Sequence, residues 1–135
     1  MALLATVLIL VASATIQKQT SYQAHRALES AILFQGQAYA DAIASFYQVG
    51  NLQQLPTSLN QLINDSRFFH KRHLRREYRL FNGQTWQPIM NSQNHIVGVV
   101  APIDKTPLKK TNFPEHLKSF EGLSSYKDWK FLVEI

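Results

Sequence analysis

Cysteine is absent from this 135-residue chain, and glycine and proline are scarce, with five of each. Without cysteine the protein can form neither a disulfide bond nor a thiolate metal site. The few glycines and prolines, together with 45% apolar residues, exclude a disordered or low-complexity chain. The length allows one domain with a modest core and leaves no room for two independent ones.

Charge is missing from residues 1–16, whose polar members are only Thr6, Ser13 and Thr15. As a helix this segment would measure about 24 Å, somewhat less than the roughly 30 Å hydrocarbon core of a bilayer. Three interpretations are open: a signal peptide, a buried core helix, or a membrane anchor that continues into a soluble helix. The small residues at 12–14 are typical of a signal peptide, but a basic n-region is lacking.

The segment that follows favours the anchor, because a helical pattern continues from it without a break. Residues 17–49 contain no proline and only one glycine, and Gly50-Asn51 predicts a C-terminal cap. Apolar residues recur at helical spacing and predict the face that packs on a sheet: Leu28, Ile32, Tyr39, Ile43 and Phe46. A helix of 49 residues would be roughly 70 Å long, so it must project from so small a domain. The predicted anchor residues are Leu3, Leu4, Val7, Leu8, Ile9, Leu10 and Val11.

Residues 17–135 are predicted to form a small head domain. After the amphipathic helix half at 17–49 we expect a short helix at 56–64 and a basic segment at 70–79 in extended or turn conformation. The remainder, 84–135, is predicted to be an antiparallel sheet of three or more strands, with strands at 84–90, 95–102 and 129–135, a hairpin turn at 91–94 and an ordered loop at 104–121. The sequence therefore predicts an α+β fold.

The basic character of the chain is local. Residues 70–79 hold five Lys and Arg and one Glu, so this segment contributes +4 of the net charge of +5. Its cations are candidate contacts for a polyanion or a neighbouring subunit: Lys71, Arg72, Arg75, Arg76 and Arg79. They could neutralise phosphates while Phe68, Phe69 and Tyr78 stack on bases. A solvated face or a contact with anionic lipid head groups is the alternative.

No set of residues predicts catalysis or a cofactor. No two of the nine carboxylates are closer than six residues apart in sequence, and no Gly-x-Ser-x-Gly or phosphate-binding glycine motif is present. His70 and His73 have a spacing that could place two metal ligands on one helical face, but the surrounding arginines repel a cation. We therefore predict a protein that is not an enzyme and that has no metal site, no cofactor and no small-molecule substrate.

Several segments, in order, resemble the type IV pilin-like proteins, and among them the pseudopilins of type II secretion systems. They are ESAILFQG at 29–36, AIASFY at 42–47, LPTSLNQL at 55–62, RHLRREYR at 72–79, Trp86, IVGV at 96–99, DKTPLK at 104–109, SFEG at 119–122 and YKDWKF at 126–131. The resemblance implies a pilin-like fold with a long N-terminal helix on a small sheet. It also implies a single-pass bacterial inner-membrane subunit with its head in the periplasm. Its partners would be other pseudopilins and inner-membrane assembly components.

Two departures from the family pattern bear on these expectations. Family members begin with a short basic leader, a glycine and an N-methylated aromatic residue followed soon by a glutamate, whereas the first acid here is Glu29. Either the true start lies upstream, or this member is not processed by prepilin peptidase. Where the family usually continues Asp-Pro after its basic run, this chain has Leu80-Phe81, so no metal site is carried over.

The sequence thus favours a minor structural subunit of a type II secretion or pilus-like filament. One alternative is a minor pilin whose basic segment binds DNA or another polyanion. Another is a secreted soluble domain with a signal peptide cleaved after about Ala14.

Replacing Ile43 with aspartate should unfold or strongly destabilise the head, because the predicted helix face would then bury an unpaired charge. Thermal unfolding followed by circular dichroism measures this effect. A variant with undiminished thermal stability would mean that Ile43 is not on the buried face.

Overall fold

A long helix lies across a three-stranded antiparallel sheet. The computed structural model describes residues 2–81 and 83–135, with side chains from Lys18 onwards. The elements are α1 (Ala2–Gln48), α2 (Asn60–Ile63), β1 (Gln87–Met90), β2 (Ile96–Val100) and β3 (Phe131–Leu132), with 3-10 turns at Val49–Asn51, Glu115–Phe120 and Tyr126–Asp128. The strand order is β1-β2-β3, and both pairs are antiparallel. A long helix and an antiparallel sheet in one chain are compatible with the predicted α+β class.

The helix α1 ends where glycine allows the chain to turn. Gly50 has a φ of 60°, in the left-handed region that favours glycine at a helix C-terminus. The ring of Phe68 lies against the same residue, so that a Cβ at position 50 would be only 3.1 Å from its Cε1 atom. Glycine is therefore required at position 50 for two reasons, the backbone conformation and the close approach of Phe68.

β1 and β2 form a hairpin closed by the side chain of Asn91. Its Oδ1 accepts hydrogen bonds from the backbone N–H groups of Gln93 at 2.9 Å and His95 at 3.0 Å. This Asx turn reverses the chain at residues 91–94, where the hairpin turn was predicted. Pro88 sits on β1, which is an edge strand and can tolerate a residue without an N–H donor.

β3 is shorter than the strand predicted for 129–135. Trp129 closes the 3-10 turn Tyr126–Asp128, donating its backbone N–H to Tyr126 at 3.0 Å, so it is unavailable to the sheet. The ladder to β2 begins with Val99 opposite Phe131 and ends with the Val133 N–H bonded to the Val97 carbonyl at 2.8 Å. The ordered loop predicted at 104–121 includes the 3-10 turn Glu115–Phe120 in its last part.

The core lies between α1 and the sheet. Of the predicted packing face, Ile32, Tyr39, Ile43 and Phe46 are buried, and Leu28 is half-buried at its margin. From the sheet side, an aromatic cluster packs against them: Trp86, Phe113, Phe120, Tyr126, Trp129 and Phe131. Burial of each large side chain contributes about 1.5–3 kcal/mol, so this layer supplies most of the driving force for folding.

Helix and sheet meet most closely at Gly36. The ring of Phe131 lies on the helix backbone at this position, and a Cβ on Gly36 would be 2.6 Å from its Cγ atom. Next to it, the indole N–H of Trp86 donates to Oε1 of Gln35 at 2.8 Å. The absence of a side chain at position 36 therefore sets the spacing between α1 and β3.

Replacing Gly36 with alanine should destabilise the protein, although alanine favours helix by about 1 kcal/mol. Displacing the Phe131 ring from a packed core should cost about 1–3 kcal/mol and outweigh that gain. Chemical denaturation of the full chain in a non-ionic detergent measures the difference. In a Phe131→Leu background the same substitution should cost less, and an equal cost in both backgrounds would contradict the proposed contact.

Candidate functional site

Beyond the packing face, α1 continues without cover from the head. All side chains from Lys18 to Ala24 are exposed, and the first half-buried residues are His25 and Leu28. The seven predicted anchor residues lie outside the part of the chain whose side chains are described. Among the described residues, no helix has the length and apolar character needed to span a membrane.

The basic segment is held to the head by a buried carboxylate. The Asp65 side chain is 1% exposed and pairs with the Arg67 guanidinium, with Nε 2.9 Å from Oδ1 and Nη2 2.8 Å from Oδ2. The same guanidinium donates to the Phe46 carbonyl at 2.8 Å and lies 3.6 Å from the centre of the Phe46 ring. A backbone bridge between Asp65 and Lys71 closes the loop above this pair. Asp65 therefore fastens the start of the basic segment to the C-terminal end of α1.

His73 links Asp65 to the helix directly. Its Nε2 lies 2.8 Å from Asp65 Oδ2, and its Nδ1 lies 2.7 Å from the Ser45 hydroxyl. An ionised carboxylate only accepts hydrogen bonds, so Nε2 carries a proton, and in the neutral ring Nδ1 accepts from Ser45. The ring also packs edge-on against Phe46, with centroids 5.5 Å apart. The imidazole thus ties the loop to α1 through both of its nitrogens.

A serine, a histidine and an aspartate in hydrogen-bonded sequence invite comparison with hydrolase triads. Here the Asp65 charge is already paired with Arg67, so it is poorly placed to stabilise a protonated imidazole. The His73 side chain is fully buried. Ser45 lies within α1, where backbone N–H groups bond along the helix and are not free to hold an oxyanion. We interpret the Ser45–His73–Asp65 chain as a structural tie.

The pKa of Asp65 is held well below its ordinary value. The largest cause is the hydrogen bond from the Arg67 side chain, and the contact with His73 acts in the same direction against the opposing effect of burial. The carboxylate is therefore charged at neutral pH. Its negative charge is balanced by Arg67 at the point where the basic segment joins the core.

The structure separates the five predicted contact cations. Lys71 lies beside Asp41 and Ser45 near the C-terminal end of α1. Arg75 and Arg76 lie instead with Phe34 and Tyr78 in a shallow groove beside the middle of α1. The remaining two are exposed: Arg72 donates to the Arg75 carbonyl at 3.4 Å, and Arg79 pairs through its backbone with Thr85.

The two histidines considered for a metal site have separate partners. His70 bonds Asn64 at the surface, with Nδ1 2.7 Å from Oδ1, whereas both ring nitrogens of His73 are used inside the head. In the described part of the chain, no three His, Asp or Glu side chains come together as metal ligands.

A second buried carboxylate, Glu29, was not predicted to have a role. It is 7% exposed and accepts the backbone N–H groups of Leu108 at 2.8 Å and Lys109 at 3.1 Å, and the Tyr126 hydroxyl at 2.6 Å. Burial and this bond to Glu29 raise the pKa of Tyr126. Glu29 thus fastens the long loop to α1 at the end of the head nearest the exposed helix. The only signal of this role in the sequence is that Glu29 is a single acid on an apolar helix face.

Comparison with known proteins adds no relatives. No protein-family model, curated protein or solved structure matches the chain.

Replacing Asp65 with asparagine should destabilise the protein by about 3 kcal/mol at pH 7, because Arg67 would lose its buried partner. Since the folded-state pKa of Asp65 is depressed, its contribution is complete above the unfolded-state pKa of about 3.9 and is lost as the pH falls below it. The gap in unfolding free energy between wild type and Asp65→Asn should therefore narrow from pH 6 to pH 3.

The groups that face this carboxylate are Arg67 and His73. Asp128→Asn, at an exposed carboxylate, is the matched control and should change the unfolding free energy by less than about 0.5 kcal/mol. A gap that stays constant down to pH 3 would contradict the depressed pKa of Asp65.

Proposed function

We propose that this chain is a structural, non-catalytic subunit of a filament of the type IV pilin-like kind, with a pilin-like fold. Within that class it acts as a minor pseudopilin of a type II secretion or pilus-like machine. The observation that carries the proposal is the extension of α1 beyond the head, with every side chain from Lys18 to Ala24 exposed. Side chains that the head leaves exposed to solvent can contact other molecules.

The sequence before Lys18 supports a role for this extension in lipid or in a helix bundle. Exposing sixteen uncharged and mostly apolar residues to water has a large free-energy cost. Burial in lipid or against other helices removes that cost. The N-terminal half then holds the subunit in the bacterial inner membrane, with the head in the periplasm. On assembly the same surface packs against the equivalent helices of neighbouring pseudopilins.

The attachment of helix to head suits transmission of force. The buried face of α1, the Gly36–Phe131 contact and the two carboxylate ties join them along the whole length of the head. A subunit pulled by its helix would therefore move as one body. Assembly of this kind needs partner proteins, including inner-membrane assembly components, and no small-molecule substrate or cofactor.

The test is membrane partition and neighbour capture of the tagged protein expressed from its own locus. The wild type should resist alkaline extraction from membranes, whereas Ile9→Arg should appear in the soluble fraction, because a charge in the apolar segment costs about 2.5–3.5 kcal/mol. A photo-crosslinking amino acid at the exposed Gln23 should trap adducts with copies of the chain or other pilin-like subunits.

Ala24→Arg, in the exposed part of α1, is the matched control and should partition like the wild type. A crosslinker at Lys127, on the surface of the head, should give fewer helix-bundle adducts. A soluble wild-type protein whose N-terminus is Thr15 would contradict the proposal and establish a secreted domain.

A further inference from the structure

Two aromatic rings meet on the surface of the head next to arginines. Phe34 lies on the outer side of α1, with 65% of its surface exposed. It contacts the half-buried Tyr78 edge to face, with ring centroids 6.0 Å apart. Large aromatic side chains are costly to leave in water, so an exposed one beside a second ring indicates a surface for a flat apolar partner.

The second feature of this groove is the positive charge of the arginines beside the rings. Arg76 places its guanidinium carbon 5.3 Å from the centre of the Tyr78 ring, and Arg75 lines the same groove. Within the described residues, no carboxylate forms an ion pair with Arg72, Arg75 or Arg76. Glu77 lies among them in sequence and offsets only one of the charges. The surface therefore carries an unbalanced positive charge next to exposed rings.

Contacts within the protein hold the groove in one conformation without a ligand. The hydroxyl of the buried Tyr39 accepts the backbone N–H of Tyr78 at 3.1 Å, and the two rings pack edge to face at 6.1 Å. At the other end of the segment, His73 and Asp65 hold the chain to α1. Because the protein chain around the groove is already ordered, binding a ligand costs little conformational entropy of the protein, which favours affinity.

We propose that Phe34, Arg75, Arg76 and Tyr78 form a binding surface for single-stranded nucleic acid. Its bases offer flat faces to the aromatic rings, and its phosphates offer charge to the arginines, including Arg72 at the margin. This inference concerns surface residues of the head, and it uses the proposed membrane anchor only to choose between nucleic acid and lipid head groups.

The geometry favours this ligand over the lipid head groups of the membrane in which the helix would be anchored. Eighteen residues of helix separate Phe34 from the end of the apolar segment, a distance of about 27 Å along the axis. The Debye length at physiological ionic strength is about 8 Å, so the surface charge of that membrane is screened at the groove. An acidic protein would satisfy the arginines but has no need of exposed ring faces.

The experiment measures fluorescence anisotropy of a labelled 20-nucleotide oligo-dT with the full chain in a non-ionic detergent. If three arginines contact phosphates, the affinity should fall about twentyfold between 50 and 200 mM salt. Arg75→Gln combined with Arg76→Gln should weaken binding at least tenfold and reduce the slope of log K against log salt by about 1.4. Phe34→Ala should weaken binding at least fivefold through lost stacking.

The matched control is Lys105→Gln combined with Lys110→Gln, which removes the same charge from exposed positions in the loop held by Glu29. This variant should bind within about threefold of wild type, because distant exposed charges are screened. Circular dichroism verifies that every variant is folded.

Several outcomes would overturn the proposal: no binding at 50 mM salt, equal losses in the control, or full affinity in Phe34→Ala. Equal affinity for duplex DNA of the same length, or for heparin, would likewise reduce the groove to a non-specific basic surface. None of these results bears on membrane partition or on helix crosslinking, so the filament assignment stands or falls separately.

Discussion

The ring of Phe131 rests on the backbone of α1 at Gly36, and the rest of the head is arranged around that contact. Phe131 lies on the edge strand β3, opposite Val99 of the central strand β2, and it also touches Trp86 and Phe120 at centroid distances of 5.8 and 5.0 Å. A larger residue at position 36 would lift the strand from the helix and open gaps on both sides of the ring. Because a packed core deforms little, a contact this close determines the spacing of the whole helix–sheet layer.

The sheet is too small to hold the head together by itself. β3 has two residues and β1 has four, so most of the chain between the strands is loop and 3-10 turn. Two buried carboxylates compensate by fastening loops to α1: Glu29 through backbone N–H groups and a tyrosine hydroxyl, and Asp65 through Arg67 and His73. A buried carboxylate with several donors is stable where an unpaired one would be very costly, so each holds its loop in one position.

The sequence was sufficient to predict the helix and the antiparallel sheet, because both follow from local periodicity. A stripe of apolar residues at helical spacing predicts α1, and two strand-like segments on either side of an Asn-rich turn predict the β1–β2 hairpin. It was not sufficient to predict the carboxylate ties, because Glu29 and Tyr126 are 97 residues apart and no local pattern connects them. The same limit applies to the basic segment, which reads as one cluster but divides in space. Lys71 turns to the end of α1, while Arg75 and Arg76 turn to its middle.

That division follows from how the segment is attached. His73 binds Ser45 near the end of α1, and five residues later Tyr78 binds Tyr39, nearly two helical turns earlier. The segment therefore runs back along the helix towards its N-terminus, and its two arginines reach the level of Phe34. An exposed aromatic residue on α1 and a pair of arginines from a distant part of the chain become neighbours because α1 supplies both attachment points, Ser45 and Tyr39. The packing that makes the head stable thus also builds a surface on which aromatic rings and unpaired arginines lie together.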